Sequence, residues 1–182
     1  AGFYRRTEGP AGHFTTSTHG ALGVVFAEAI AHLADREGAT HVVDIGCGRG
    51  ELLTHLHEAR PDLALTGVDV VSRPDGIPDA VAWLRSPGGG SLPPELDGLT
   101  DVLVVAHEWL DVVPCTVAEG VAPGQVAVVV VDPMTGEEEL GEVPTDQEIA
   151  WCAQHWPVDD LPVGARVEVG STRDAAWSDL VS

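Results

Sequence analysis

The residues best suited to chemistry are a run of alternating glycines and two nearby acids. Gly46, Gly48 and Gly50 follow an apolar run, and Asp44 stands two residues before the first glycine. Such spacing lets a strand turn sharply into a helix while backbone N–H groups approach a bound molecule. Asp69 lies about 20 residues further on, where comparable folds place a carboxylate on ribose hydroxyls. The pattern therefore predicts a pocket for a nucleoside.

The glycine spacing argues against a dinucleotide. A dinucleotide site would have its third glycine where this chain has Glu51, and an acid at the start of a helix repels a pyrophosphate. A zwitterionic amino acid joined to a nucleoside fits better. The alternative is that Asp44 and Asp69 cap strand ends and that the glycines form an ordinary tight turn.

The motif Asp-x-Gly-x-Gly-x-Gly over residues 44–50 resembles the first motif of class I S-adenosylmethionine-dependent methyltransferases, whose loop wraps the methionine part of the cofactor. The resemblance implies S-adenosyl-L-methionine as the cofactor. Trp83 is the candidate for packing the adenine, although tryptophans more often fill a core. Thr15 and Thr16, with Ser17, are expected to close over the cofactor or to cap the following helix. The remaining predicted contacts are Asp44, Gly46, Cys47, Gly48, Gly50, Asp69 and Val70.

Composition limits the partners and the compartment. The 182 residues include 29 acids against nine basic residues, all of them arginine, for a net charge of −20. This charge disfavours nucleic acid and favours a basic partner, although many acidic proteins are simply soluble. Three widely spaced cysteines argue against disulfides and a zinc cluster and favour a cytoplasmic location. No apolar run is long enough to span a membrane, and no metal site is predicted.

Periodicity predicts an α/β fold. The first helix should bury a stripe formed by Leu22, Val25, Phe26, Ala29, Ile30 and Leu33. Strands are expected at 41–45, 64–70 and 101–106, and a helix at 51–60. Residues 72–79 are too short and proline-rich for a crossover helix, so either this crossover is a bare loop or residues 81–85 are not a parallel strand. A short helical turn is expected within 94–99.

The last third of the chain predicts a different pattern. Residues 115–121 and 125–131 read as a hairpin, followed by a helix with a capping box formed by Thr145 and Glu148. A strand at 165–169 and a helix from about Thr172 complete the expected elements.

Three segments together resemble the MidA family of S-adenosylmethionine-dependent methyltransferases, whose mitochondrial members methylate an arginine in a subunit of respiratory complex I. They are residues 2–16, the glycine motif and the stretch His-Glu-Trp-Leu-Asp-Val-Val-Pro over 107–114. The family usually has Asn where this chain has His107 and an acid where it has His13.

The resemblance implies one methyltransferase domain over residues 1–182. Its Rossmann-like sheet should carry helices on both faces and a β-hairpin insertion at 115–143 after the fourth strand. The family fold has seven strands, so the chain is expected to be incomplete before the fifth strand, or to have its missing strands replaced. The expected partners are a protein with a basic or arginine-bearing segment and, in a homodimer, a second copy of the chain.

The chemistry of methyl transfer suggests catalytic residues. In-line displacement requires an aligned nucleophile, and carboxylates orient a guanidinium well. Glu108 and Asp111 follow the fourth strand on the side where open α/β sheets bind ligands, and His107 is a candidate proton acceptor or cofactor contact. The alternative for both acids is helix capping or surface charge. A non-catalytic assembly or binding factor and a methyltransferase for a small metabolite are the competing functions.

Overall fold

The computed structural model describes residues 17–156 and 158–182. The chain divides into two compact units, with the boundary between Val112 and Val113. The prediction that both belong to one domain stays a prediction.

The first unit is an α/β unit built on a parallel sheet. Its strands are β1 (His41–Ile45), β2 (Ala64–Asp69), β3 (Val81–Arg85) and β4 (Val102–Val105), in the order β3-β2-β1-β4. Its helices are α1 (Gly20–Glu37) and α2 (Glu51–Ala59), with short 3-10 turns at Pro94–Leu96 and Leu110–Val112. The predicted parallel α/β architecture is confirmed.

The sheet is buried on both faces at its centre, as is usual for parallel sheets. Residues 42–45 of β1 are all buried although their side chains alternate between the faces. Helices α1 and α2 pack against each other and share a core cluster with Val42 and Leu65. The described part of this unit holds no third α-helix, so helices on both faces remain a prediction.

The crossover between β2 and β3 is a bare loop. Strand β3 pairs in parallel with β2, with Leu65 opposite Val81. Arg73 fixes the loop by donating from its guanidinium to the carbonyl oxygens of Ile77, at 3.0 Å, and Pro78, at 2.8 Å, and also to that of Val81. These bonds satisfy carbonyl groups of the loop and of the start of β3, where no crossover helix is present to pair them.

The predicted buried stripe of α1 is correct only in part, since Phe26 and Ile30 are half-buried and pack against the core cluster. Leu22 and Val25 are 58% and 60% exposed. The buried positions are instead small residues at helical spacing, namely Gly23, Ala27, Ala31 and Ala34. Small side chains allow close approach of two helices, and α1 packs extensively on α2. The face of α1 that packs on α2 is therefore formed by the small residues and not by the larger apolar ones.

The second unit is an antiparallel sheet with two helices. Strands β5 (Thr116–Ala122), β6 (Gln125–Val131), β7 (Glu138–Leu140) and β8 (Arg166–Val169) lie in the order β7-β6-β5-β8. The helices are α3 (Asp146–His155) and α4 (Ser171–Val181), with a 3-10 turn at Val158–Asp160.

Several local predictions hold in the second unit. Strands β5 and β6 pair antiparallel across the turn at Pro123 and Gly124, and the capping box at the start of α3 is complete. The short strand β7 was not predicted. Whether 115–143 is an insertion into a methyltransferase sheet stays a prediction.

Candidate functional site

The sheet order of the first unit defines where a ligand would bind. The chain runs outward from β1 through β2 to β3 and then returns to place β4 on the other side of β1. Open α/β sheets bind ligands outside the carboxyl ends of the strands where the order reverses. Here that point lies between β1 and β4. The glycine motif follows the first of these strands, and residues 107–112 follow the second.

The three motif glycines form the bend that leads into α2. Their φ angles are +72°, +61° and +76° for Gly46, Gly48 and Gly50, a region that favours glycine. The bend is anchored to β2, because the N–H of Gly46 donates to the carbonyl of Val68 at 2.8 Å. We call residues 46–50 the glycine bend.

Asp69 lies against the glycine bend, as predicted. Its Oδ2 accepts a hydrogen bond from the N–H of Gly48 at 2.8 Å, and its Oδ1 accepts one from the N–H of Val71 at 3.1 Å. Burial raises the pKa of this carboxyl, and backbone hydrogen bonds, including these two, oppose the rise. The sequence thus identified a carboxylate that contacts the glycine bend across the ends of two neighbouring strands.

Asp44 is more deeply buried than Asp69, at 4% exposed. Its carboxyl receives no hydrogen bond from any residue that the structure describes. Burial raises its pKa to about 8, and the charges of Asp69 and Glu51 add to the rise. A buried carboxylate without partners is costly, so this group is suited to a cation or hydrogen-bond donor brought by a ligand.

Cys47 fills space between the bend and the core. Its side chain is 8% exposed, and its Sγ would lie 2.9 Å from a Cβ placed on Gly67. Burial, followed by the charges of Asp44 and Asp69, raises the pKa of the thiol. The thiol is therefore held in its neutral form.

Trp83 lies beside the start of α2. Its ring would be 3.4 Å from a Cβ on Gly50, and its Nε1 donates to the carbonyl of Val71 at 3.2 Å. The half-buried ring packs against the core cluster. Its predicted contact with adenine stays a prediction. Val70 is half-buried and near Gly88, whose added Cβ would lie 3.5 Å from it.

The segment after β4 presents His107 and Glu108. The Nε2 of His107 lies 2.7 Å from the Oγ of Ser17 and 4.0 Å from the Oε1 of Glu108, and its ring contacts Phe26 with centroids 5.3 Å apart. Glu108 has a φ of +59°, which is strained for a residue other than glycine. Such strain is often found at functional sites. Asp111 is exposed in the following 3-10 turn.

Trp109 links the two halves of the site, and sequence reasoning missed this role. It is 4% exposed, and its Cδ1 would lie 3.3 Å from a Cβ placed on Gly46. The indole therefore packs directly on the glycine bend. Its position two residues after the candidate His107 was the available signal, but a tryptophan in that position is equally typical of a core.

Some predictions lie beyond this part of the structure. Thr15 and Thr16 fall outside the described residues. Among the residues described, no three His, Cys, Asp or Glu side chains gather as a metal site would require, and no helix is long and apolar enough to cross a membrane. Two open surface pockets of about 260 and 210 Å³ occur in the second unit, and none of their lining residues is a predicted site residue.

Comparison with known proteins supports the fold. No protein-family profile and no curated protein matches the sequence. Two solved structures from Burkholderia thailandensis are similar. One is a COG1565 superfamily member, described as a candidate methyl transferase and bound to S-adenosyl-homocysteine; it is 24% identical with a TM-score of 0.56, over 86% of this chain and 41% of that one.

The other is an uncharacterised COG1565 superfamily protein. It is 23% identical with a TM-score of 0.60, over 98% of this chain and 49% of that one. This chain therefore spans less than half the length of each solved structure. The likeness shows a shared fold.

Proposed function

We propose that this chain is the cofactor-binding part of an S-adenosylmethionine-dependent methyltransferase. The observation that supports this most is the arrangement of Asp44 and Asp69 at the glycine bend, at the point where the strand order reverses. The similar structure with bound S-adenosyl-homocysteine agrees with it.

The charges around the bend favour this cofactor over a dinucleotide. Glu51 begins α2 directly after Gly50, so the helix start carries an acid where a pyrophosphate would need a neutral or positive environment. Three carboxyl groups, those of Asp44, Asp69 and Glu51, surround the bend. A ligand with ribose hydroxyls and a positively charged amino acid part matches them.

Each predicted contact then has a defined task. The backbone of Gly46, Cys47, Gly48 and Gly50 would follow the methionyl part, and Asp69 would accept hydrogen bonds from ribose hydroxyls. Trp83 and Val70 would border the base. Thr15 and Thr16 would close the site from the N-terminal side. When bound, the cofactor supplies an electrophilic methyl group.

The residues after β4 would act on the methyl acceptor. Methyl transfer needs the acceptor in line with the methyl group and little covalent help, so orientation is the main requirement. Glu108, held in a strained backbone conformation, would orient a cationic acceptor, and His107 would take up its proton. Asp111 is a second carboxylate for the same acceptor.

The finer assignment rests on charge and on sequence resemblance. A net charge of −20 would attract a basic protein segment, and the MidA resemblance suggests an arginine as the acceptor. The three widely spaced cysteines favour a cytoplasmic location, and a homodimer is one proposed association state. Nucleic acid and membranes are not expected partners. A non-catalytic assembly or binding factor of the same fold is the second candidate, because the contacts that the structure shows at the glycine bend concern ligand binding and not methyl transfer.

Calorimetric titration with S-adenosylmethionine and S-adenosyl-homocysteine tests the proposal. We expect micromolar or tighter binding of both. The variant Glu108→Gln should keep this affinity but lose transfer of labelled methyl groups to proteins of a cell lysate, whereas Glu28→Gln, on the exposed side of α1, should keep both. Absence of binding would refute the proposal, and binding without transfer by the wild type would favour the assembly factor.

A further inference from the structure

The second unit has an open surface pocket of about 260 Å³ whose lining residues are not assigned to the cofactor or to the methyl acceptor. It is lined by Trp156, Asp160, Leu161 and Pro162, and we call it the Trp156 pocket. Trp156 is 43% exposed, Asp160 and Pro162 are exposed, and Leu161 is buried. The pocket therefore combines an accessible indole, a carboxylate and an apolar lining.

One wall of the Trp156 pocket is fixed to the sheet of the second unit. The carbonyl of Pro162 accepts a hydrogen bond from the N–H of Ala165 at 3.0 Å, and the N–H of Gly164 donates to the carbonyl of Gly120 in β5 at 2.8 Å. A Cβ added to Gly120 would lie 2.7 Å from the carbonyl oxygen of Pro162 and 3.4 Å from the side chain of Leu161. This wall is already in place, so little ordering opposes the entry of a ligand.

The charge of the second unit is strongly negative. Residues 113–182 contain 13 acids and two arginines, which gives a net charge of −11. Both arginines are engaged by other acids, Arg166 by two glutamates and Arg173 by Glu168. Asp160 has neither a hydrogen bond nor an ion pair with any residue that the structure describes. The carboxylate in the pocket is therefore available to a cation from outside the unit.

A second tryptophan of the unit has the partners that Trp156 lacks. The Nε1 of Trp151 donates to a carboxylate oxygen of Asp174 at 2.7 Å, and its ring contacts that of His155 with centroids 4.8 Å apart. Within the described part of the unit, the side chain of Trp156 forms no hydrogen bond and no ring contact. Trp156 and Asp160 therefore differ from Trp151 and Asp174, which already bind each other.

We propose that the Trp156 pocket is a docking site for a guanidinium side chain, presented by a basic segment of a partner protein. The planar cation would stack on the indole and donate N–H groups to the carboxylate of Asp160. The inference deepens the proposed function and rests on it for the expectation of a basic partner. It assigns the holding of that partner to residues that take no part in methyl transfer.

An arginine fits the Trp156 pocket better than the alternative occupants. An apolar side chain would cover the carboxylate and leave it unpaired, which costs free energy. A lysine has a compact, strongly hydrated ammonium, whereas a guanidinium stacks flat on an aromatic ring and pairs with a carboxylate through two N–H groups. A second copy of the chain suits this face less, because the unit carries a net charge of −11 in each copy.

Fluorescence anisotropy with two labelled peptides of equal charge tests the proposal on the full chain without cofactor. One peptide has four arginines separated by serines, and the other has lysines at the same positions. General attraction to the acidic surface acts on both peptides and is screened at about 0.15 M salt. The arginine peptide should bind about three- to fivefold more tightly than the lysine peptide.

Two variants locate this preference in the pocket. Trp156→Ala should weaken binding of the arginine peptide by about three- to fivefold and remove its advantage over the lysine peptide. Asp160→Asn should weaken it by about two- to threefold, because an exposed ion pair contributes little. Trp177→Ala is the matched control, since Trp177 is 51% exposed in α4 and does not line the pocket. Asp179→Asn is the exposed control for the acid, and neither control should change the affinity.

A second measurement on the wild type is independent of whether Trp156→Ala folds. The nuclear magnetic resonance signal of the indole N–H of Trp156 is assigned by its absence in the conservative variant Trp156→Phe. Addition of N-acetyl-arginine amide should shift this signal, while those of the other four tryptophans should stay in place. N-acetyl-lysine amide should shift it less.

The possible failures are distinct. Equal affinity for the two peptides, equal losses in Trp156→Ala and Trp177→Ala, or an unshifted Trp156 signal would each overturn the docking site. Loss of self-association in Trp156→Ala with unchanged peptide binding would assign the pocket to a second copy, and would also overturn it. In a separate titration, a wild type that binds S-adenosyl-homocysteine without preferring arginine would refute the docking site alone. A wild type that prefers arginine but binds no S-adenosyl-homocysteine would refute only the proposed function.

Discussion

Two carboxyl groups, one in each unit, are treated in opposite ways by the fold. Glu148 in α3 accepts hydrogen bonds at Oε2 from the N–H and the hydroxyl of Thr145, both at 2.8 Å, and at Oε1 from the hydroxyl of Thr116. These bonds lower its pKa. Asp44 has no such bonds, and its pKa is raised to about 8. The protein pairs the carboxylate that holds a helix in place and leaves unpaired the one at the glycine bend.

Other polar groups of the second unit follow the pattern of Glu148. Arg166 donates to Glu119 at 2.9 Å and to Glu138 at 2.6 Å, and the Nε1 of Trp151 donates to Asp174 at 2.7 Å. These side chains complete one another without a ligand. Asp44 differs from these acids because its side chain is buried and accepts no hydrogen bond from the described residues.

The largest expected effect is on the pH dependence of stability. In the unfolded chain Asp44 ionises near its ordinary pKa of 3.8, whereas in the fold it holds its proton to about pH 8. The folded state therefore binds the extra proton between these values, and stability falls as pH rises through this window, by roughly 1 kcal/mol per unit. Because asparagine does not ionise, Asp44→Asn should remove this slope, so that the variant gains stability relative to the wild type as the pH rises from 5 to 8.

Hydrogen exchange of the β1 amides at pH 5, 6.5 and 8 measures this effect, with the β5 amides as a reference for the second unit. Glu148→Gln is the matched control of opposite sign. In the wild type the pKa of Glu148 is lowered by folding, so the contribution of this side chain to stability is present above about pH 4.5 and is lost as the pH falls. If the protection of the β1 amides changes with pH equally in the wild type and in Asp44→Asn, Asp44 does not differ from Glu148 in the way described.

The second-largest expected effect is the loss of ligand affinity when Asp69 is replaced. Asp69→Ala removes the acceptor for the N–H of Gly48 and the predicted acceptor for ribose hydroxyls. Hydrogen bonds to charged groups contribute about 1.5–3 kcal/mol, so affinity for S-adenosyl-homocysteine should fall about 100-fold. Calorimetric titration measures the loss.

Asp174→Ala is the control for Asp69→Ala in the second unit. It removes the hydrogen bond of Trp151 and should leave the affinity unchanged. Equal affinity losses in the two variants would mean that the effect of Asp69→Ala reflects general damage and not a site.

The sequence predicted the structure best where a local backbone geometry requires a particular residue type. Strand β1 has the predicted bounds, the motif glycines have the positive φ angles that their spacing implied, and Asp69 contacts the bend. In each case the constraint is local or links the ends of adjacent strands. The capping box at Thr145 is local in the same way.

Features that depend on packing were not readable from the sequence. Leu22 is exposed because the small residues of α1 face α2. Hydrophobic periodicity favours the larger apolar residues and does not show that small residues form the buried face. The position of Trp109 over Gly46 depends on two strands lying side by side. The lack of partners for Asp44 is a property of its surroundings in three dimensions, so a motif can place this acid but cannot show that it is unpaired.

The smallest expected effect is on the stability of α3, and it tests whether Glu148 contributes to ligand binding. Thr145→Ala removes the hydroxyl that caps α3 and one partner of Glu148, and loss of such a cap costs about 1 kcal/mol. The loss should appear in the exchange of α3 amides, while the affinity for S-adenosyl-homocysteine stays within error of the wild type. Thr145→Ser keeps the cap and should restore most of the stability. A change in affinity in Thr145→Ala that Thr145→Ser reverses would mean that the satisfied acid also serves the ligand, and hydrogen-bond satisfaction would then no longer distinguish structural from binding carboxyl groups in this protein.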